Sequence, residues 1–596
     1  MRTAIATVSL SGDLAGKLDA IARAGFDAVE LFESDFLAHD GSAAEVGRMA
    51  RDQGLAIAAF QPFRDFECLP ASLRARAFDR ARRKLDLTAE LGADLLLICS
   101  TVSPDALGGI DRAAADLRAL GDLAAARGLR VGYEALSWGR FVSDHRDAWE
   151  IVRRADHPAI GLVLDSFHTL ARGIDPESIR SIPGDRIFLV QLADAPRLDL
   201  DLLSWSRHFR VMPGQGDLDI ARFMRAVEAT GYAGIVSIEV FNDQFRAGSP
   251  AAVALDGRRS LVALEDALPG GRHLPAPPRF AGIDGVEFAV DEAAARGLEA
   301  SLAALGFAPD GPRPVAGPRV WRQNGMTLVV DTSAAGFAHS FRLTHGPSIH
   351  ALSLTVDDAD RAMRRARAMM ATPYADLPAV RGVGGGLLRF VDAAEDRAAA
   401  PTAGLLAIDH VAQSMDQEEM LSWLLFHRAV LGLGDASDTE VADPGGLIRS
   451  RALQDAEGRV RIVLNAADGA RTAPARFRSE FFGSGVQHIA FAAADIFATA
   501  RALRAAGIAT LPIPRNYHDD LAARFALDDG LLAAMAAHGV LYDRDAAGEY
   551  LQLYTPAFAD RFFFEIVERR GYRGFGAPNA PIRLAAQARA APAVAA

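Results

Sequence analysis

The chain has 596 residues, half of them hydrophobic and 23% charged, and its 64 Lys and Arg against 76 Asp and Glu leave a net charge of -12. This is the balance of a folded chain too long for one core, so at least two domains are expected. The acidic excess excludes a general affinity for nucleic acid or anionic membrane, and two cysteines, Cys68 and Cys99, exclude a disulfide framework.

No apolar run approaches the ~18 residues of a membrane span. The first apolar run, Ile5–Leu10, meets Ser11-Gly12-Asp13 at once and lacks a signal-peptide core. A cytoplasmic chain is expected, with a homo-oligomer left open.

From residue 1 to 268, short apolar runs alternate with helical spacing. The predicted strands are Ile5–Leu10, Ala28–Phe32, Ala56–Phe60, Leu95–Cys99, Arg130–Glu134, Gly161–Asp165, Ile187–Leu192 and Ile235–Val240. Leu73–Leu91 and Asp111–Arg127 carry helical periodicity, and Gly92 and Gly128 suit helix ends that feed the next strand. Eight such units in this length predict a closed (β/α)8 barrel, with an open doubly wound sheet as the alternative. Residues 269–281 are dense in Pro and Gly and read as a linker.

Residues 282–576 change rhythm: a strand, an amphipathic helix and further strands recur four times. The units start at Gly282–Phe288, Ser348–Leu354, Ala407–Gln413 and Gly485–Phe491. Ile283-Asp-Gly-Val286 and Ile408-Asp-His-Val411 are near copies. Repetition of this kind predicts stacked α+β modules. Residues 577–596, rich in Ala, Pro and Arg, read as a flexible tail.

Four oxygen-bearing side chains close successive barrel strands: Glu134, Asp165, Gln191 and Glu239. In such a barrel the C-terminal strand ends share one mouth, so these four can surround one cation. Three carboxylates repel without one, and all-oxygen ligation favours a hard divalent ion such as Mg²⁺ or Mn²⁺. His168, three residues past Asp165, is placed as a general base or acid; a capping role is the plainer reading. Arg64 and Arg210 follow strands 3 and 7 and offer a planar fork to a substrate carboxylate, or else surface ion pairs. Ser206 and His208 are further candidates for substrate contact.

Pro213-Gly-Gln-Gly216, ahead of an Asp and a helix, resembles the P-G-x-G-x-[ID] signature of the xylose-isomerase-like barrel superfamily. That superfamily includes sugar isomerases, endonuclease IV-type nucleases and myo-inosose dehydratases. It often uses a His ligand where this chain has Gln191, and no His-rich zinc cluster is visible. With the second half considered too, the chain resembles the bacterial two-domain 3-dehydroshikimate dehydratases over nearly its whole length. The resemblance implies a hydro-lyase of quinate and shikimate catabolism. It implies a divalent ion (Mg, Mn or Co) on the four residues above, a cyclic hydroxy-keto acid as substrate and protocatechuate as product. The alternatives are a sugar or inosose isomerase or dehydratase of the same superfamily, and a dioxygenase located in the C-terminal half.

In the second half His410 and His488 occupy matching places in two repeats, and Glu565 ends a late strand. Two His and one carboxylate make a facial triad, most often an Fe(II) site. This half resembles 4-hydroxyphenylpyruvate dioxygenase and the vicinal-oxygen-chelate fold, with Gly574-Phe-Gly-Ala-Pro-Asn579 similar to that family's glycine-phenylalanine-glycine motif. A second divalent ion, Mg or Fe, is therefore expected there. Ala577-Pro578 and Ala580-Pro581 interrupt the place of that family's closing helix, so no such helix is expected. Its absence would weigh against dioxygenase turnover in this half. In the earlier pair of modules Gly285 stands where His410 does; His350 remains, with no matching Glu apparent.

Overall fold

The computed structural model describes residues 1–271, 273–311, 314, 316–375, 377–393 and 404–590. Two compact units divide at Leu274 and Pro275, inside the Pro/Gly-rich stretch. Among the described residues no helix is long and apolar enough to cross a membrane.

The first unit is a closed eight-stranded parallel barrel in the order β1 to β8. Its strands are β1 (Arg2–Ala6), β2 (Ala28–Phe32), β3 (Ala56–Phe63), β4 (Leu95–Cys99), β5 (Arg130–Glu134), β6 (Ile160–Asp165), β7 (Ile187–Leu192) and β8 (Ile235–Ile238). Buried on both faces, they read as continuous apolar runs, as Leu95–Cys99 shows by being buried throughout.

The first strand departs from expectation. It ends at Ala6, and Thr7–Ser9 form a 3-10 turn. The apolar run continued into that turn because Val8 and Leu10 are themselves core residues. The two expected helices are Ala71–Leu91 and Ile110–Ala125, the first closed by Gly92 at φ 78°, a conformation glycine adopts without a Cβ clash.

The second unit holds a seven-stranded and an eight-stranded sheet, both mixed. The four repeat starts form the strands Phe280–Ala289, Ser348–Val356, Leu405–Met415 and Gly485–Ala493. In each sheet two of them pair antiparallel at the centre.

The expected tail is a helix instead, Ala580–Ala590; residues 591–596 lie outside the described residues. Pro581 is the second residue of that helix, where its missing N–H costs no intrahelical bond. Leu584 is buried with Val441, Ile448, Ala467 and Ala473.

Candidate active site and metal centres

Three of the four barrel oxygens meet. Asp165 ends β6 and caps the short helix Ser166–Leu170, its Oδ1 accepting from the N–H groups of Phe167 (2.6 Å) and His168 (3.3 Å). That cap fixes His168 and turns Oδ2 toward the centre, where it meets Arg210. Glu134, Asp165 and His168 each offer a ligand atom within 4.8 Å of the others. His168 Nε2 lies 3.6 Å from Glu134 Oε1 and 3.8 Å from Asp165 Oδ2. Glu239, just past β8, joins through Arg210, whose Nη1 donates to Asp165 Oδ2 at 2.8 Å and to Glu239 Oε2 at 3.0 Å.

Gln191 sits in the same barrel interior, directly in register with Asp165 on the neighbouring strand, but its amide nitrogen is committed elsewhere. It donates to Glu30 Oε2 at 2.9 Å, and Gln61 Nε2 donates to the same oxygen at 3.0 Å. The orientation leaves Gln191 Oε1 buried and without a partner. Glu30 on β2 was invisible to sequence reasoning. The only signal was a carboxylate inside an apolar run, Ala28-Val-Glu-Leu-Phe32.

The electrostatics suit a dication. Burial first, and then Glu239 and Asp165, push the Glu134 carboxyl well above the ordinary carboxylate range. Burial also raises Glu239, against the pull of Arg210. Glu30 is pushed up to about 8 by burial and Glu239. Burial opposes charge on Arg210, but Asp165, Glu239 and Glu134 outweigh it and hold the guanidinium protonated. With Glu134, Asp165 and Glu239 all ionised, the single Arg210 guanidinium would leave two negative charges for a cation to balance. Glu134 Oε1 and Gln191 Oε1 remain buried acceptors without donors. An all-oxygen set with that deficit fits a hard divalent ion.

The basic candidates divide. Arg210 is 1% exposed and turned inward, with Nε and Nη2 donating to Ser206 Oγ at 3.1 and 2.8 Å. It is a counter-ion of the carboxylates, and Ser206 is its support; neither stands as a free fork for substrate. His208 lies outside the cluster, exposed and paired with Asp243 Oδ2 at 2.8 Å, because the helix Leu202–His208 turns it to the surface. Arg64 is half-buried, its Nε without a partner.

Pro213–Gly216 is tied down by Asp194 Oδ2, which accepts from Gly214 and Gly216 N–H at 3.0 and 3.1 Å. A Cβ at Gly216 would meet Asp194 Oδ1 at 2.5 Å and the Ala195 backbone at 2.6 Å, so the turn requires glycine.

His410, His488 and Glu565 stand on three adjacent strands, Leu405–Met415, Gly485–Ala493 and Phe563–Arg570. His410 and Glu565 both lie opposite Ala490, and His488 is two residues from Ala490 on the same face. The register brings both imidazole Nε2 atoms to 3.3 Å from Glu565 Oε2. Gln552 Nε2 and the Tyr554 hydroxyl donate to Oε1 at 2.9 and 3.0 Å, fixing the carboxylate. Asp409 orients His410 through Nδ1 at 2.8 Å and is held by Arg569 Nε at 2.6 Å. Burial opposes charge on His410, yet Glu565 and Asp409 push it up to about 9; burial takes His488 down to about 4. The triad lines a cavity of about 80 Å³ that Arg583 and Leu584 of the last helix also line. In the earlier modules Leu388 holds the register position of Glu565, two residues from His350 across the pair. Gly285 and Leu388 thus leave His350 without the two matching ligands, its Nε2 lying 3.8 Å from Glu287 Oε2 instead.

Known proteins place this arrangement. The xylose isomerase-like TIM barrel family matches residues 18–264. The N-terminal hydroxyphenylpyruvate dioxygenase family matches 276–411, and the glyoxalase/bleomycin resistance protein/dioxygenase superfamily 407–534. Fold and site therefore define a xylose isomerase-like barrel fused to a dioxygenase-like unit. The chain is 47% identical to the 3-dehydroshikimate dehydratase of Pseudomonas aeruginosa over 99% of both chains. It is 46% identical to that of Pseudomonas putida over 99% of this chain and 98% of the relative. A solved xylose isomerase-like TIM barrel/4-hydroxyphenylpyruvate dioxygenase fusion protein superposes with a TM-score of 0.90 at 46% identity, covering 99% of each chain. The chain belongs to the family of two-domain 3-dehydroshikimate dehydratases.

Proposed function

We propose that the barrel dehydrates 3-dehydroshikimate to protocatechuate. The likeness to two named dehydratases over 99% of the chain carries this reading, and the buried carboxylate cluster supports it. Glu134, Asp165 and Glu239, with Gln191 Oε1, would hold a divalent ion, Mg²⁺, Mn²⁺ or Co²⁺. Such an ion supplies Lewis-acid polarisation of a substrate carbonyl.

His168 moves the proton. Burial and the charges of Arg210 and Arg207 keep its imidazole neutral. Ser137 offers Nδ1 both an N–H donor at 3.2 Å and a hydroxyl at 3.1 Å that can accept. Either tautomer is thus satisfied, so Nε2, which faces the cluster, can take a proton from carbon and later return one to the leaving hydroxyl. Trp138 and Phe167 pack edge-on to the ring, which limits water around it. Loss of water yields an aromatic ring, which makes the step effectively one-way.

The second unit would hold its own divalent ion, Mg²⁺ or Fe²⁺, on His410, His488 and Glu565. The closing helix favours a second reading, dioxygen chemistry with a 2-oxo acid. Its cavity, about 80 Å³, is far below the ~300 Å³ at which small-molecule sites begin, so a structural or regulatory ion is the better reading.

Ultraviolet monitoring of the protein with 3-dehydroshikimate tests the proposal directly. Aromatic product should appear, stop with EDTA and return with Mg²⁺, Mn²⁺ or Co²⁺. Full turnover after verified metal removal would end the metal-assisted reading. His168→Ala should lower kcat far more than Mn²⁺ affinity; equal loss of both would make His168 a ligand.

A further inference from the structure

Arg210 leaves a question of charge. With its donors engaged by Asp165, Glu239 and Ser206, an acidic substrate must find its cation elsewhere. Three residues earlier lies Arg207, in the last turn of the helix Leu202–His208. Its guanidinium sits 4.5 Å from the centre of the Phe241 ring and 5.3 Å from that of Trp138. The Trp138 ring in turn lies 5.2 Å from the His168 ring, so Arg207 is one aromatic ring away from the proton-moving group.

Among the described residues neither Arg207 nor Arg64 has an ion pair or a hydrogen bond, although both are half-buried and Arg64 Nε is fully enclosed. Burial and the neighbouring charges of Arg64 and Arg210 lower the Arg207 pKa. Glu239 offsets part of this for Arg207, but two neighbouring cations, partly desolvated and without a directly paired anion, are costly to keep. A protein that places them beside a catalytic centre gains from an anion brought by its ligand. A guanidinium fork pairs with a carboxylate through two parallel hydrogen bonds, and the flanking rings pre-set its plane.

We propose that Arg207, together with Arg64, holds the substrate's ring carboxylate, and that Arg207 makes the barrel selective for an acid over a neutral ring. The inference rests on the reading of the barrel as acting on a cyclic hydroxy-keto acid. A neutral sugar would leave both guanidiniums unpaired.

The test compares two probes on the full-length, Mn²⁺-loaded protein by calorimetry: protocatechuate, and catechol, which is the same ring without the carboxylate. A charge-assisted bidentate pair is worth about 1.5–3 kcal/mol, so wild type should prefer the acid by roughly 10- to 100-fold. Arg207→Gln should remove most of that preference with catechol affinity unchanged, and should raise KM for 3-dehydroshikimate more than it lowers kcat. Arg207→Lys, which keeps the charge and loses the fork, should recover part of the preference, and keeps the test usable should the Gln variant fold poorly. Arg207→Gln with a wild-type acid preference overturns the proposal and leaves the dehydratase reading intact. Lost acid preference in a protein whose wild type never turns over 3-dehydroshikimate does the reverse.

Discussion

Gln191 donates its amide nitrogen to Glu30 Oε2 at 2.9 Å, joining β7 to β2 across the barrel interior. An amide presents oxygen on one side and nitrogen on the other. Holding the nitrogen at Glu30 therefore decides that the oxygen is what Gln191 has left to offer a cation.

Glu30→Leu removes that hold and leaves the amide free to turn. Partners of metal ligands commonly carry about 10- to 100-fold of affinity. Mn²⁺ binding, followed by electron paramagnetic resonance, should weaken by that order while the barrel stays folded. Unchanged affinity would mean that Glu30 does not orient Gln191.

Arg210→Met keeps much of the volume and deletes the charge. Asp165 and Glu239 then face Glu134 with no counter-ion inside the barrel. Breaking such a buried pair costs about 3–5 kcal/mol. Urea unfolding should show the loss in metal-free protein and a clear recovery with Mn²⁺. A loss that ignores Mn²⁺ would assign Arg210 to packing alone.

Strand positions and the polar residues near their ends were legible because β5 to β8 are almost wholly buried and carry a polar side chain within one residue of the strand end. Glu30 was not, since it is placed mid-strand and its partners Gln61 and Gln191 are 31 and 161 residues away. Arg210 and Arg207 are three residues apart, and only the end of the helix at His208, which falls between them, tells the inward cation from the unpaired one. The closing helix was missed for a local reason: its prolines were read as breakers, whereas a first turn tolerates them.

The barrel should also show one separable pH effect. His145 begins the helix His145–Ala155 and shares a hydrogen bond with Ser178 Oγ at 2.7 Å. Burial takes it down to about 4, so below its unfolded value of about 6.5 the unfolded chain binds the extra proton. The stability His145 contributes is fully present above pH 6.5 and is lost as pH falls from there toward 4, by about 3 kcal/mol. His145→Gln has no such proton. The stability gap between wild type and variant, from chemical unfolding at pH 7.5, 6 and 5, should shrink steadily; a constant gap would refute the burial effect.

Metal counting separates the two centres. Wild type, loaded and desalted, should retain two divalent ions per chain by elemental analysis. Glu134→Ala and Glu565→Ala should each retain one. Dehydration should disappear with Glu134 and persist with Glu565. A single ion in wild type that survives Glu565→Ala would leave the His410 triad a packed relic of ancestry.

The last helix gives the second centre a door. Leu584 is 2% exposed and anchors Ala580–Ala590 to Val441 and Ile448, while Arg583 lies 5.6 Å from the rings of Tyr554 and Phe563 beside the triad. Burying a leucine is worth about 2 kcal/mol, so its loss should raise the fraction of time the helix is undocked roughly 30-fold. Leu584→Asp should let a coloured chelator strip Co²⁺ from His410, His488 and Glu565 faster by that order, with the barrel ion lost at its wild-type rate. Equal stripping rates in wild type and variant would show that the ion escapes by another route and that the helix does not gate it.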